Sequence, residues 1–180
     1  MLKIALIAGA VIVVVAVVFI VVVALQPANF RIARSTTISA PADVVFTHVN
    51  DFHKWDAWSP WAKLDPAMKT TFSGPDAGKD ASYAWQGNKQ VGEGRMTILE
   101  SKPGELVRIK LEFLKPFQAT NTAEFTFKPE GGKTTVTWAM TGTNNFMFKA
   151  VNLIMNMDKV LGGQFEQGLA QMKVAAEAAA

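Results

Sequence analysis

Six side chains are the candidates in this sequence for moving a proton at a site: His48, Asp51, His53, Asp56, Tyr83 and Glu93. Asp51, His53 and Asp56 set two carboxylates beside an imidazole within a few residues, which suits proton transfer or metal binding and equally suits solvated or capping roles in a loop. Glu93 stands between Gly92 and Gly94 in a turn, where its carboxylate either enters a cavity mouth or faces solvent. With Tyr83 it is the acid or base that a cyclase or aldol-type reaction would use. A serine nucleophile would need a base, an orienting acid and a sharp G-x-S-x-G turn, and that motif does not occur. With no cysteine and only two histidines, thiolate chemistry, disulfides and an all-histidine metal site are excluded. No residue is therefore marked as catalytic, and neither a cofactor nor a metal is expected.

The more distinctive chemistry is apolar. Phe52, Trp55, Trp58 and Trp61 crowd an irregular stretch around Pro60, where large rings either cap a cavity mouth and bind a flat apolar ligand or pack short helices onto a sheet. Strand-like alternation puts Tyr83, Trp85, Met96 and Ile98 on one face, joined by Ile109, Leu111 and Phe113. Phe125, Phe127, Trp138 and Met140 continue that face, which is either solid core or cavity wall. Phe165 and Leu169 project from a helical stripe that would close it. The methionines, together with Gly162, Gly163 and Gly168, favour an adaptable lining over tight packing.

The elements that must position these residues follow from their periodicity. Phe30, Ile32, Thr36 and Ile38 alternate with Arg31, Ala33 and Ser35 as a first strand. Ser39-Ala-Pro-Ala-Asp43 starts a short helix that buries Val45, Phe46 and Val49 and ends near Asn50. From Met68 period two returns, interrupted by glycine-rich turns such as Ser73–Gly78, Gly87-Asn88 and Glu130-Gly-Gly132. Short turns between the runs imply an antiparallel meander with one wet face. Phe165, Leu169, Met172 and Ala176 then recur at helical spacing, and the Phe146–Met157 stretch is also helix-compatible, with Gly162-Gly163 expected to mark a bend between two pieces. The fold class is α+β: a curved antiparallel sheet of about seven strands wrapped around a long C-terminal helix.

Residues 1–25 are a separate matter. From Ile4 to Leu25 there is no charge, no proline and no polar side chain. At about 1.5 Å per residue this run reaches roughly 33 Å, enough to cross a hydrocarbon core of about 30 Å. A cleaved signal peptide is the competing reading, but such h-regions are only about 7–15 residues long. The expected organisation is a transmembrane anchor over 1–25, a linker over 26–29 and one domain over 30–180. Lys3 favours an amino terminus inside and a domain outside, while Arg31 and Arg34 lie close on the other flank. The net charge falls from +3 to +2 once Lys3 is set aside, with signs interspersed, which leaves no nucleic-acid footprint.

Several motifs carry a resemblance. Asn50-Asp-Phe52, Trp55–Trp61 reading WDAWSPW, Trp85-Gln-Gly-Asn88, Val91-Gly-Glu-Gly94 and Gly162–Met172 reading GGQFEQGLAQM resemble the bacterial polyketide cyclase/dehydrase and lipid transport branch of the START and birch-pollen-allergen-like (SRPBCC) superfamily. The likeness covers about Phe30 to Lys173. It implies a helix-grip fold with a cavity between sheet and helix that takes lipids, hormones or polyketide-like molecules; the added apolar span departs from the soluble members.

The expected function is a membrane-tethered helix-grip domain that binds a lipid or other apolar small molecule. The alternatives are an accessory subunit docking through its span onto a larger membrane protein complex, and a polyketide cyclase/dehydrase-like enzyme, a reaction that nothing in the sequence requires. The expected partners are the lipid bilayer, an apolar ligand and such a complex, with no nucleic acid. The expected location is a bacterial inner membrane, single-pass, with the domain in the periplasm. The first strand would then begin only about five residues, roughly 15 Å of extended chain, from the bilayer surface.

Overall fold

The computed structural model describes residues 2–180; Met1 and the side chains of Leu2 and Ala5 lie outside the described residues. The chain separates into two compact units, Met1–Phe30 with Thr143–Met157 and Arg31–Gly142 with Asp158–Ala180.

In the first unit, α1 (Leu2–Leu25) is one unbroken helix with no polar face. Its segment Leu6–Leu25, 20 residues, is long and apolar enough to cross a membrane. It contains no proline to break the helix, and its only glycine is Gly9. The same unit contains α3 (Phe146–Ile154), started by Asn145, whose side chain accepts a 2.9 Å bond from the Phe148 N–H.

The second unit holds the grip. In chain order the sheet and its helices are β1 (Asn29–Ile38), α2 (Ala42–Asn50), a 3-10 turn at Phe52–Ala57, β2 (Lys69–Ser73), β3 (Ser82–Gln86), β4 (Glu93–Lys102), β5 (Leu106–Lys115), β6 (Ala119–Glu130), β7 (Lys133–Thr143) and α4 (Met157–Glu177). The seven strands form one sheet ordered β1-β7-β6-β5-β4-β3-β2, antiparallel from β2 through β7. The expected helix-grip architecture is the one that forms. Val107, Ile109, Phe125, Val136 and Trp138 point to the concave face and are buried. On the outer face, Arg108 of β5 pairs with Glu100 of β4 and Glu124 of β6.

α4 lies across the concave face because its stripe of Phe165, Leu169, Met172 and Ala176 is almost wholly buried. Polar struts run along β1 beside it. The Arg34 guanidinium donates to Asp158 (2.9 Å) and Glu166 (2.7 Å), Lys173 reaches the Thr37 carbonyl at 2.9 Å, and Glu177 accepts the Ser39 N–H at 2.7 Å. Arg34 is half-buried but its partners Asp158 and Glu166 are solvent-exposed, so the pairs orient the helix more than they stabilise it. The bond to Arg34 holds the Asp158 carboxyl below the usual carboxylate range, and the guanidinium is in turn held more firmly protonated.

The bend expected at Gly162-Gly163 is absent. The helical break falls earlier, at Met155, whose backbone is extended between α3 and α4. Gly162 serves close approach instead, since a Cβ there would overlap the Arg34 guanidinium. Gly168 does the same against Trp138 (2.9 Å) and Pro60 (3.1 Å), whereas a Cβ at Gly163 would meet open space.

That contrast predicts opposite signs for one substitution on one helix. Gly163→Ala should stabilise the domain by up to about 1 kcal/mol, the ordinary helix-propensity gain. Gly168→Ala should destabilise it by about 1–2 kcal/mol, because the methyl must displace Trp138 or Pro60 from a packed interface. Urea unfolding of the two variants side by side reads both.

Candidate functional site

The site begins with unsatisfied backbone groups. The last carbonyls of α2 have no partner within the helix, and two indole N–H groups supply one each. Trp58 donates to the His48 carbonyl at 2.8 Å and Trp55 to the Val49 carbonyl at 3.0 Å. Asp51 caps the intervening 3-10 turn by accepting the His53 N–H at 2.9 Å. These bonds fold the WDAWSPW stretch back over the sheet and press its rings inward. Trp58 becomes fully buried, edge-on to Phe125 and Trp138, while Trp55 sits 4.6 Å from it, centroid to centroid.

A cavity of about 190 Å³ remains between the sheet, this stretch and α4. At one end Trp138 stacks on Phe165 with ring centroids 4.2 Å apart, and Trp61 stands edge-on to both. At the other end Tyr83 stacks near Trp85 and Phe113 meets Trp85 edge-on. Met96, Leu111, Ala123 and Met140 line the sheet side, and Leu161 lines the α4 side. The polar groups at the wall are Asp56, Ser59, Tyr83 and Gln90.

The space exists because two in-facing positions are small. Ala123 lies opposite Ile109 on one neighbour and Met140 on the other, where a larger side chain would fill the middle of the sheet. Gly94 has no Cβ, and one there would overlap the Trp85 ring; its absence lets the indole lie across β4. Trp85 is fixed in that pose by donating to the Val91 carbonyl at 3.0 Å.

Asp65 ties the far rim together. Its carboxylate accepts the Asn88 N–H at 2.6 Å and the Ala67 N–H at 3.0 Å, and Asn88 reaches back to the Leu64 carbonyl at 3.3 Å. The loop after Pro60 and the β3–β4 loop are thereby one unit, and Met68, Gln90 and Val91 come to the wall.

The titratable candidates divide by environment. Burial pushes the Tyr83 phenol up to about 12, with the Asp56 charge adding to it. It is therefore a neutral hydrogen-bond donor at physiological pH. Burial also lowers the proton affinity of His48, helped by Lys54, so that imidazole stays neutral; its Nδ1 is buried without a partner. His53 turns away, hydrogen-bonded to Asp51 at 2.9 Å and stacked on Phe72. Glu93 is not at the wall: it accepts from Lys115 (2.9 Å) and Gln86 (3.0 Å), which hold its carboxyl below the usual range.

Of the cavity candidates read from the sequence, the structure brings Trp55, Trp61, Tyr83, Trp85, Met96 and Leu111 to the wall. Phe113, Trp138, Met140 and Phe165 join them. Trp58, Ile109, Phe125, Phe127 and Leu169 lie behind it in filled core. Asp56 was visible only as a titratable group. Val91 opens the Val91-Gly-Glu-Gly94 motif and Met68 opens the period-two pattern, but neither is marked as a cavity residue by the sequence, nor is Gln90, which falls between that motif and Trp85-Gln-Gly-Asn88. Leu161 was one helical turn before Phe165, on the same stripe.

Residues 29–177 match the family model described as polyketide cyclase / dehydrase and lipid transport. No curated protein matches the chain significantly in sequence. Among solved structures, protein CV1439 of Chromobacterium violaceum is similar with a TM-score of 0.57 at 18% identity, over 84% of this chain and 99% of that one. The Aha1 dimer of Colwellia psychrerythraea gives 0.58 at 12% identity, over 82% and 96%. The di-domain ARO/CYC BexL of the BE-7585A biosynthetic pathway gives 0.59 at 18% identity, over 87% of this chain and 52% of its own. At such identities the likeness is one of fold.

Because Tyr83 is the only tyrosine in the chain, its titration is readable alone by tyrosinate absorbance. The midpoint should lie near 12, against 10.0 for a solvated phenol. The sign follows: a folded-state value raised above the unfolded one leaves stability intact below pH 10.0 and removes it as pH rises toward about 12. Tyr83→Phe should lose less stability than the parent over that window.

Proposed function

The chain belongs to the polyketide cyclase / dehydrase and lipid transport family, through residues 29–177, and we propose that its cavity holds one neutral, largely apolar small molecule bearing a hydrogen-bond acceptor. The observation that carries this reading is the lining: aromatic and aliphatic walls with a phenol kept protonated among them. Tyr83 donates to the acceptor group of the ligand, with Ser59 and Gln90 as further polar contacts. Asp56, on the same wall, disfavours an anion, and the apolar lining disfavours unpaired charge of either sign. Apolar surface buried at about 25 cal/mol per Å² supplies affinity, and the few polar groups set orientation.

The enzymatic alternative needs a base within reach of the ligand. Tyr83 is protonated too tightly to serve, which leaves Asp56 as the carboxylate at the wall among the described residues. Binding requires no such group and is the reading preferred.

The proposal includes a membrane tether: residues 1–25 retained as a single span in a bacterial inner membrane, 26–29 as linker, and 30–180 as a periplasmic ligand-binding domain. Its support is the length and apolarity of Leu6–Leu25. Ligands dissolved in or partitioning to the bilayer are then the ones the domain meets.

Extraction of the full chain in mild detergent followed by native mass spectrometry should find one small neutral molecule bound per chain. A bare chain that also takes up none of a panel of membrane-derived neutral lipids would sink the binding reading.

A further inference from the structure

The helix α3 has a strongly one-sided surface that the ligand-binding reading does not use. Around its axis Leu153, Phe146, Ala150, Ile154, Met147 and Val151 form one continuous apolar arc, and Lys149 and Asn152 lie opposite. None of its residues is buried; Met147 is 57% and Ile154 80% exposed. An apolar arc of this kind left open to water is unfavourable unless something apolar covers it.

The depth of this helix along the span is set by contacts within its own unit. α1 and α3 pack on one another. The Asn144 N–H donates to the Ala28 carbonyl at 2.7 Å, Thr143 bonds Asn29 at 3.2 Å, and the Lys149 ammonium reaches the Ala24 carbonyl at 3.3 Å. Ala24 is in the last turn of α1, where the apolar run ends. A lysine on the terminal carbonyls of a span sits where hydrocarbon gives way to headgroups, and it also complements the negative end of the helix dipole. Between them, residues 1–30 and 143–157 contain no acidic side chain to be repelled by anionic lipid, and Lys3 and Lys149 are their charged ones.

We propose that α3 is an interfacial helix: its Phe146–Met147–Ile154 face lies in the outer edge of the bilayer beside the exit of α1, with Lys149 and Asn152 toward the headgroups. The inference rests on the reading of α1 as a retained span. Embedded about 5–10 Å below the headgroups, such a face adds apolar burial to the anchor and fixes the rotation of α1 in the membrane. The unit is then a two-helix membrane foot, one helix crossing and one lying flat.

The absence of cysteine from the chain allows clean single-site labelling. Met147→Cys, Ile154→Cys, Asn152→Cys and Val13→Cys, each carrying an environment-sensitive fluorophore, are reconstituted as full chains in phosphatidylethanolamine and phosphatidylglycerol vesicles. Brominated lipid and aqueous iodide are the two quenchers. Brominated lipid should remove most of the emission at 13, 147 and 154, and iodide should quench 152. Lipid quenching at 13 with iodide quenching at 147 and 154 would overturn the interfacial helix while leaving the span intact. Protection of 147 and 154 from both quenchers would also overturn it, since a protein partner or second copy would then cover the face. Iodide quenching at 13 would overturn the span and the interfacial helix together. All four positions are exposed, so circular dichroism of each labelled chain should match the parent.

Discussion

One helix has to cover a sheet wider than itself, and the rest of the domain is arranged around that mismatch. Seven strands at about 4.8 Å spacing span roughly 29 Å, whereas a helix with its side chains is about 10–12 Å across. α4 seals the strip over which Phe165, Leu169, Met172 and Ala176 are buried, and something else must close the remainder. The stretch from Phe52 to Met68 does so. It is held there by indole bonds to the spent carbonyls of α2 and by Asp65 on the far rim. Two covers meeting over a concave sheet leave a seam, and the cavity lies in it.

The aromatic residues therefore have two kinds of role set by place. Trp58 and Phe125 fill the interior between α2 and the sheet, and replacing them would create voids in close-packed core. Trp61, Trp85, Trp138 and Phe165 line the cavity and so leave part of their surface without packing partners. The polar groups obey the same geography. Tyr83, inside, is neutral because burial disfavours its anion, while Glu93, outside, is ionised because Lys115 and Gln86 bond it. A carboxylate held by an exposed lysine is a poor reporter of a cavity mouth, however suggestive its two flanking glycines.

Much of this was legible in the sequence, and the reasons differ by element. Period-two alternation from Met68 to Thr143 exposed the strands and their inner face because one side of the sheet is wet. The stripe from Phe165 to Ala176 identified the covering helix by its spacing. What alternation does not encode is whether the inner face is filled. That depended on Ala123 and Gly94, whose significance is how little side chain they carry, and on Asp65, whose partner across the rim, Asn88, lies 23 residues away. The break between α3 and α4 was hidden for a related reason. Of the glycine pair read as a bend, Gly162 is spent on close approach to Arg34 and Gly163 continues the helix facing open space, while an ordinary Met155 takes the extended backbone.

The central claim is that the seam between sheet, aromatic stretch and α4 is a binding cavity. Titration of the detergent-solubilised chain with a neutral naphthylamine dye, read by energy transfer from tryptophan, tests it most directly when repeated on Ala123→Leu, which places a side chain in the empty middle. The account predicts saturation at one dye per chain in the parent and loss of that saturable signal in the variant, with unchanged circular dichroism. Equal binding by both chains, or no saturable binding by the parent, would contradict it.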